Sequence, residues 1–188
     1  MLKYFICFLI LNLCPFKKVQ CQRATVLDPV AELLSNNNYD STLHYSIHKI
    51  EYDFNNDGLM DVAISDPDGW GNAGGIWYFY FKNKNEGYYY YDKIDVMHYS
   101  MYSVIKNNYK KNILIFYHSM GCCEGNVNYY SFENGNFKVI KLTHLEGESI
   151  YEKAEKVIAK GNKGRLSSAS LQCLKQESSY CWFSSTKK

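Results

Sequence analysis

From Leu43 onward, apolar and polar residues alternate in short stretches, and Gly, Asn and Asp residues interrupt them at close intervals. Alternation with a period of two predicts strands with one buried face, and closely spaced turn signals predict antiparallel hairpins. The clearest turn is Asn134-Gly135-Asn136, because Asn and Gly tolerate the positive φ that tight hairpin turns require. The pattern therefore predicts a mainly β chain.

Two parts of the chain repeat the same order of four strands and turns. The first unit spans residues 45–94 and the second spans residues 99–142. A repeated four-stranded antiparallel meander is how propeller blades are built, and paired meanders also form sandwiches. We therefore expect two blade-like units, arranged as a partial propeller or as a sandwich, within a single domain over residues 22–188.

A short helix is expected before these units. Asp28 fits the N-cap position and Pro29 the first helical position, ahead of an apolar stripe formed by Val30, Leu33 and Leu34. This order of residues predicts that the helix begins at Pro29.

Residues 143–188 form a tail of different character. Four of its apolar residues recur at helical spacing, namely Ile150, Ala154, Val157 and Ile158. This spacing predicts a second short helix, with a strand over residues 156–160 as the alternative. The end of the tail predicts a last hairpin, with strands over residues 168–175 and 179–183.

The N-terminus has the pattern of a secretory signal peptide over residues 1–21. Lys3 precedes an apolar run from Tyr4 to Leu13, which is shorter than the roughly 18–20 residues that span a bilayer. We therefore expect no stable membrane span, and cleavage after Cys21 would give a secreted or periplasmic protein. A lipid anchor at Cys21 is the less favoured alternative, because the residues before it do not match the small-residue pattern of lipoproteins.

An exported chain folds in an oxidising compartment, where an even number of cysteines predicts disulfides. Four of the seven cysteines follow the signal peptide. Cys173 and Cys181 are spaced so that their side chains can face each other in a hairpin, so we expect a disulfide between them. Cys122 and Cys123 are adjacent, and disulfide geometry disfavours a bridge between them. Free thiols, a strained vicinal bridge or another partner stay open for this pair.

The formal net charge is +2, and Lys and Arg residues form no extended block. A nucleic-acid partner is therefore not expected. The chain contains 18 Tyr residues, which suit strands and also suit a surface that recognises a partner.

The segment from Asp53 to Asp61 follows the pattern D-x-N-x-D-G-x-x-D. Alternate positions of a tight loop point inward, so the side chains of Asp53, Asn55 and Asp57 can offer hard oxygens, which calcium prefers. Leu59 would add its backbone carbonyl, and Asp61 would close the shell. The loop is not an EF-hand, because the glutamate that an EF-hand needs at position 12 is replaced by an isoleucine.

The loop and the segments after it, Val62–Ser65 and Gly74–Phe79, resemble the FG-GAP/VCBS-type repeat of integrin-α-like propellers. That family places calcium in a hairpin loop between the first two strands of a blade. The resemblance thus implies one calcium site with Asp53, Asn55, Asp57, Leu59 and Asp61 as ligands. It covers residues 45–81 and one copy of the motif, because the second unit lacks the acidic loop. A closed propeller of at least four blades does not fit in a chain of this length.

Three other groups of residues could carry chemistry. A zinc site at His118, Cys122, Cys123 and Glu124 is disfavoured, because the spacing matches no zinc ribbon or finger. A Cys/His nucleophile pair in the same group is disfavoured, because a free thiol does not suit an oxidising compartment. His44 and His48 are better explained as core or solvated histidines. The Gly-rich segment after the second predicted strand carries residues that suit sugar or protein recognition, namely Asp66, Asp68, Trp70 and Asn72. The alternative is a surface loop in which Asp66 or Asp68 steadies the metal.

No set of residues in the sequence indicates catalysis. We therefore expect an exported, calcium-stabilised β protein that acts by binding a protein or glycan partner. One alternative is a periplasmic inhibitor or immunity protein against an exported toxin or cell-wall hydrolase, which small size and export permit. Another alternative is a calcium-dependent hydrolase that uses Asp66, Asp68 or His118.

Overall fold

The computed structural model describes residues 25–36, 45–66, 73–85, 87–172 and 182–185. Several predictions concern residues outside these ranges. They are the signal peptide over residues 1–21 with Cys21, the recognition residues Asp68, Trp70 and Asn72, His44, and the disulfide between Cys173 and Cys181.

The described chain is mainly β, as the sequence predicts. It contains two helices, α1 (Pro29–Asn36) and α2 (Ile150–Ile158). The strands are β1 (Thr25–Val26), β2 (Tyr45–Tyr52), β3 (Asp61–Ser65), β4 (Gly75–Lys82), β5 (Tyr88–Met97), β6 (Tyr102–Lys106), β7 (Asn112–Ser119), β8 (Glu124–Glu133), β9 (Asn136–Glu146), β10 (Arg165–Gln172) and β11 (Trp182–Ser185).

The strands form two antiparallel sheets. The larger sheet has the order β1-β5-β4-β3-β2-β10-β11, and the smaller has the order β6-β7-β8-β9. Strands β2 to β5 are the meander predicted over residues 45–94, and strands β6 to β9 are the meander predicted over residues 99–142. Near the end of the described chain, β10 and β11 pair in antiparallel fashion, as expected of the last hairpin. Their bounds differ from the predicted 168–175 and 179–183, and residues 173–181 lie outside the described ranges. In addition β10 joins the larger sheet by pairing with β2 over seven positions, which the sequence did not predict.

The two meanders share one hydrophobic core, so they pack as the sheets of a sandwich do. The inward face of the larger sheet contributes Trp77, Phe79 and Phe81, and the inward face of the smaller sheet contributes Leu114 and Phe116. These residues lie at alternate positions of β4 and β7, which is the period-two pattern seen in the sequence. The aromatic residues thus fill the space between the sheets.

Each helix covers the outer face of one sheet. Leu33 of α1 packs against Val62 and Ile64 of the larger sheet, and Ile150 and Ala154 of α2 pack against the smaller sheet. All five residues of β3 are buried, because α1 and the shared core cover its two faces. The helix predicted in the tail is therefore confirmed, and the alternative strand over residues 156–160 is not formed.

The start of α1 is also as predicted. The carboxylate of Asp28 accepts hydrogen bonds from the backbone amides of Val30 at 3.0 Å and Ala31 at 3.3 Å. These bonds satisfy amides that have no partner inside the helix. In the part of the chain that the structure describes, neither helix is long and apolar enough to cross a membrane.

Candidate metal site

The acidic loop over residues 53–61 connects β2 to β3, and its base is anchored in the hydrophobic core. The strand pair Tyr52–Asp61 closes the base of the loop. The side chain of Phe54 is fully buried and contacts Phe79 edge to face, with ring centroids 5.1 Å apart. The loop therefore projects from a rigid base, while its tip, which includes Asp57 and Gly58, is exposed.

The first three polar positions of the loop are drawn together around one backbone amide. The nitrogen of Asp57 donates to a carboxylate oxygen of Asp53 at 3.0 Å and to the side-chain oxygen of Asn55 at 2.9 Å. The second carboxylate oxygen of Asp53 accepts from the nitrogen of Gly58 at 3.0 Å. Side chains of Asp and Asn often stabilise tight turns in this way. The structure thus brings together the three side chains that the motif places at alternate positions.

The side chain of Asp57 makes further hydrogen bonds within the loop. One of its carboxylate oxygens accepts from the nitrogen of Leu59 at 2.8 Å, and the other accepts from the side-chain amide of Asn55 at 2.9 Å. The sharp reversal uses positive φ angles at Asn56 and Gly58, of 62° and 87°. Asn and Gly are the residue types that adopt this conformation at the least cost.

Asp61 has a different position from the other acids of the loop. Its side chain is fully buried, and its two oxygens accept hydrogen bonds from the backbone amides of Phe54 and Lys82, each at 2.9 Å. Burial raises the pKa of Asp61 to about 7, although these amide bonds act to lower it and the charge of Asp57 adds to the increase. Asp61 therefore joins the loop to the end of β4 as a structural group.

The residues of the loop fit a calcium ion in their chemistry, because they offer three carboxylates, an amide oxygen and backbone carbonyls. Each carboxylate oxygen has more than one lone pair, so an oxygen that accepts from an amide can also contact a cation. Among the described residues, no three His, Cys, Asp or Glu side chains are already arranged to hold a metal ion.

The structure separates Asp66 from the acidic loop. Asp66 follows the last residue of β3, whereas Asp61 is the first residue of that strand. At about 3.3 Å per residue, the two acids are roughly 16 Å apart. Asp66 is buried and accepts a hydrogen bond from the hydroxyl of Tyr78 at 3.3 Å. The suggestion that Asp66 steadies the metal is therefore wrong for this fold, because strand β3 holds the two sites at opposite ends.

The group considered for a zinc site differs in the structure from the group that the sequence suggested. Cys122 and Cys123 are both exposed free thiols in the turn between β7 and β8. Next to them, His144 lies between two carboxylates, with its Nε2 atom 2.9 Å from Glu146 and 3.5 Å from Glu124. Sequence reasoning missed His144 because it comes from β9, and only the register of β8 with β9 brings it beside this turn.

His48 belongs to an aromatic stack on another part of the molecule. Its ring stacks on Tyr99 at 4.9 Å, and His98 stacks on the same tyrosine at 4.4 Å. Burial lowers the pKa of both histidines; the nearby His98 adds to the decrease for His48, and Lys163 adds to the decrease for His98. His48 is intermediate in burial, so it lies between the two alternatives of a core and a solvated histidine.

One residue that sequence reasoning did not select connects the acidic loop to the smaller sheet. Asn112, the first residue of β7, donates its side-chain amide to the backbone oxygen of Asp53 at 2.8 Å. The two residues are 59 positions apart, so no local pattern could have revealed the contact. The loop is therefore supported by both sheets.

No protein-family model, curated protein or solved structure matches this chain. The resemblance of the acidic loop to an FG-GAP/VCBS-type repeat stays a prediction.

Proposed function

We propose that this chain is an exported β protein whose loop over residues 53–61 binds one calcium ion, and that it acts by binding a protein or glycan partner. The observation that carries the proposal is the convergence of Asp53 and Asn55 on the amide of Asp57, at 3.0 Å and 2.9 Å. The ligands would be the side chains of Asp53, Asn55, Asp57 and Asp61 and the carbonyl of Leu59.

The electrostatics of the loop favour a cation. Unit charges of the same sign repel by about 4 kcal/mol at a separation of 4 Å and an effective dielectric constant of 20. Asp53, Asp57 and Asp61 lie within one nine-residue loop, and the charge of Asp57 already contributes to the raised pKa of Asp61. A divalent cation converts this repulsion into attraction, and it favours the ionised form of Asp61.

The ion would have a structural role. Phe54 anchors the loop in the core, and Asn112 holds the carbonyl of Asp53. Contacts with both sheets already hold the base of the loop in place. A cation bound at the tip would therefore fix the remaining part of the loop. In this proposal, calcium stabilises a binding surface and performs no chemical step.

Export of the chain is supported by the apolar run from Tyr4 to Leu13 that follows Lys3. The FG-GAP-like pattern of the loop supports calcium as the ion, because it supplies only oxygen ligands.

Calcium titration by isothermal calorimetry tests the metal site. We expect one site per chain, and we expect magnesium to compete weakly because the loop cannot easily provide its strict octahedral geometry. Capture of partners from culture fluid or envelope extract, in calcium and in EDTA, tests the binding role. If calcium titrated into the wild-type chain gives no heat of binding, the proposal is contradicted.

A further inference from the structure

A cavity of about 600 Å³ lies directly beside the acidic loop. Its walls come from the loop, from the turn between β6 and β7 with the start of β7, from the end of β8 and from the first half of β9. Residues that line it include Asn55, Tyr109, Lys111, Asn112, Phe132 and Glu133. The volume lies within the range of about 300–1,000 Å³ that is typical of sites for small molecules.

The rim of this cavity carries an exposed aromatic ring on a rigid turn. Tyr109 is 84 % exposed although it is large and partly apolar. The side-chain oxygen of Asn107 accepts from the backbone amides of Tyr109 and Lys111, each at 2.9 Å, and so fixes the turn. The face of an aromatic ring is electron-rich and attracts weakly positive C–H groups. The apolar face of a pyranose ring presents such groups.

The interior of the cavity carries side-chain amides and a hydroxyl, which suit a ligand rich in hydroxyl groups. Asn112 is 5 % exposed and has an unusual hydrogen-bonding state. Its amide nitrogen donates to Asp53, while its side-chain oxygen is buried and receives no hydrogen bond from the described part of the chain. Ser131 and Asn55 also line the cavity. An amide offers a donor and an acceptor side by side, as adjacent hydroxyls do.

The charges of the lining favour a neutral ligand. Lys111 and Glu133 are the two charged residues of the lining and have opposite signs. Glu133 also accepts from Lys138 at 3.2 Å and from Ser131 at 3.1 Å. A strongly anionic ligand would be repelled by Glu133, and a cationic ligand would be repelled by Lys111. A neutral ligand with many hydroxyls avoids both penalties and can bond to either group.

We propose that this cavity binds a neutral saccharide, with Tyr109 stacking on one sugar ring and the lining amides and Glu133 binding its hydroxyls. The inference deepens the proposed function and rests on it, because it selects a glycan as the partner. Asn55 belongs to both the acidic loop and the cavity, and Asn112 contacts both. Calcium in the loop therefore fixes two walls of the saccharide site and increases its affinity.

The test uses the full chain, labelled with a fluorophore, on an array of neutral glycans built from hexose, N-acetylhexosamine and deoxyhexose units. The dissociation constant of the best-bound glycan is then measured by calorimetry. Tyr109→Ala should raise this constant about tenfold by removing the stacking ring. Tyr109→Phe keeps the ring and should stay within about twofold of the wild type. Tyr151→Ala is the matched control, because Tyr151 is exposed on α2 and does not line this cavity.

The outcomes separate the saccharide site from the calcium site. Binding that is weakened by Tyr109→Ala and by EDTA supports both claims. Binding that is weakened by Tyr109→Ala and is equal in calcium and EDTA supports the saccharide site and contradicts its link to calcium. Absence of binding across the array overturns the saccharide site, even if calcium raises the melting temperature. Equal affinity of the wild type and Tyr109→Ala for the best-bound glycan also overturns it.

Discussion

The buried carboxylate of Asp61 accepts a hydrogen bond from the backbone amide of Lys82 at 2.9 Å, across 21 positions of the chain. Its other oxygen accepts from the amide of Phe54, so one side chain joins the acidic loop, the start of β3 and the end of β4. Asp57, in contrast, lies at the exposed tip, and its side chain bonds within the loop to Asn55 and Leu59. The two acids should therefore respond differently to substitution.

Asp61→Asn should lower the free energy of unfolding by about 1–3 kcal/mol in both calcium and EDTA. Asparagine keeps one acceptor oxygen, but its NH2 group cannot accept from the second backbone amide. Urea denaturation measures this change. Asp95→Asn is the control, since Asp95 is exposed and pairs with the surface residue Lys93. Equal stability of Asp61→Asn and wild type in EDTA would show that the buried bonds of Asp61 contribute nothing.

Asp57→Ala should act mainly on the calcium response. It removes an exposed carboxylate whose contacts lie within the loop, so we expect a small loss of stability in EDTA. The stabilisation that calcium gives to the wild type should disappear, because a proposed ligand is missing. Thermal melts of Asp57→Ala and of Asp95→Ala, each with and without calcium, measure the effect. Retention of the full calcium response by Asp57→Ala would contradict the ligand assignment.

The stacked histidines predict a pH dependence. Because burial lowers the pKa values of His48 and His98 in the folded protein, the unfolded chain binds more protons as the pH falls below about 6.5. The contribution of the pair to stability is therefore complete above that pH and is lost as the pH falls through the lower, folded-state values.

The double substitution His48→Gln with His98→Gln should reduce this loss. Urea denaturation at pH 7.5 and pH 5.5 measures it in EDTA. Asp61 contributes with the opposite sign, since its raised pKa makes stability decrease as the pH rises toward about 7. That contribution is common to both proteins, so their difference reports the histidines. An unchanged difference between the two pH values in the variant would contradict the assignment.

Gly74→Ala should destabilise the start of β4. Gly74 has a φ of 109°, and an added Cβ atom would lie 2.2 Å from the backbone oxygen of Met97. We expect a loss of more than about 1 kcal/mol, because both the conformation and the contact oppose a side chain. Gly121→Ala is the control, since no atom lies within 4 Å of its added Cβ. Equal stability of the two variants would contradict this account.

The strand units could be predicted because each half-buried strand carries its own alternating pattern. The way in which the units pack could not be predicted. Alternation shows that Val62 and Phe79 lie on buried faces, but it does not show that α1 covers the first and the smaller sheet covers the second. The pairing of β10 with β2, supported by the ion pair between Arg165 and Glu51, joins distant segments in the same way.

The candidate site was predictable to a similar extent. The spacing of Asp53, Asn55 and Asp57 is a local property, and the structure gathers these three residues. The inward position of Asp61 depends on the amide of Lys82, which belongs to another strand. Likewise, Asn112 reaches the loop only because the two sheets share a core. Contacts between distant segments therefore account for what the sequence did not show.

The most direct test of the central claim is the melting temperature of the wild-type chain in calcium and in EDTA, at matched ionic strength. A ligand that binds only the folded state adds about 2.7 kcal/mol at a concentration 100 times its dissociation constant. For a chain of this size, that corresponds to an increase of roughly 5 °C or more. We predict this increase with calcium. Identical melting temperatures in saturating calcium and in EDTA would contradict a stabilising calcium site in the loop over residues 53–61.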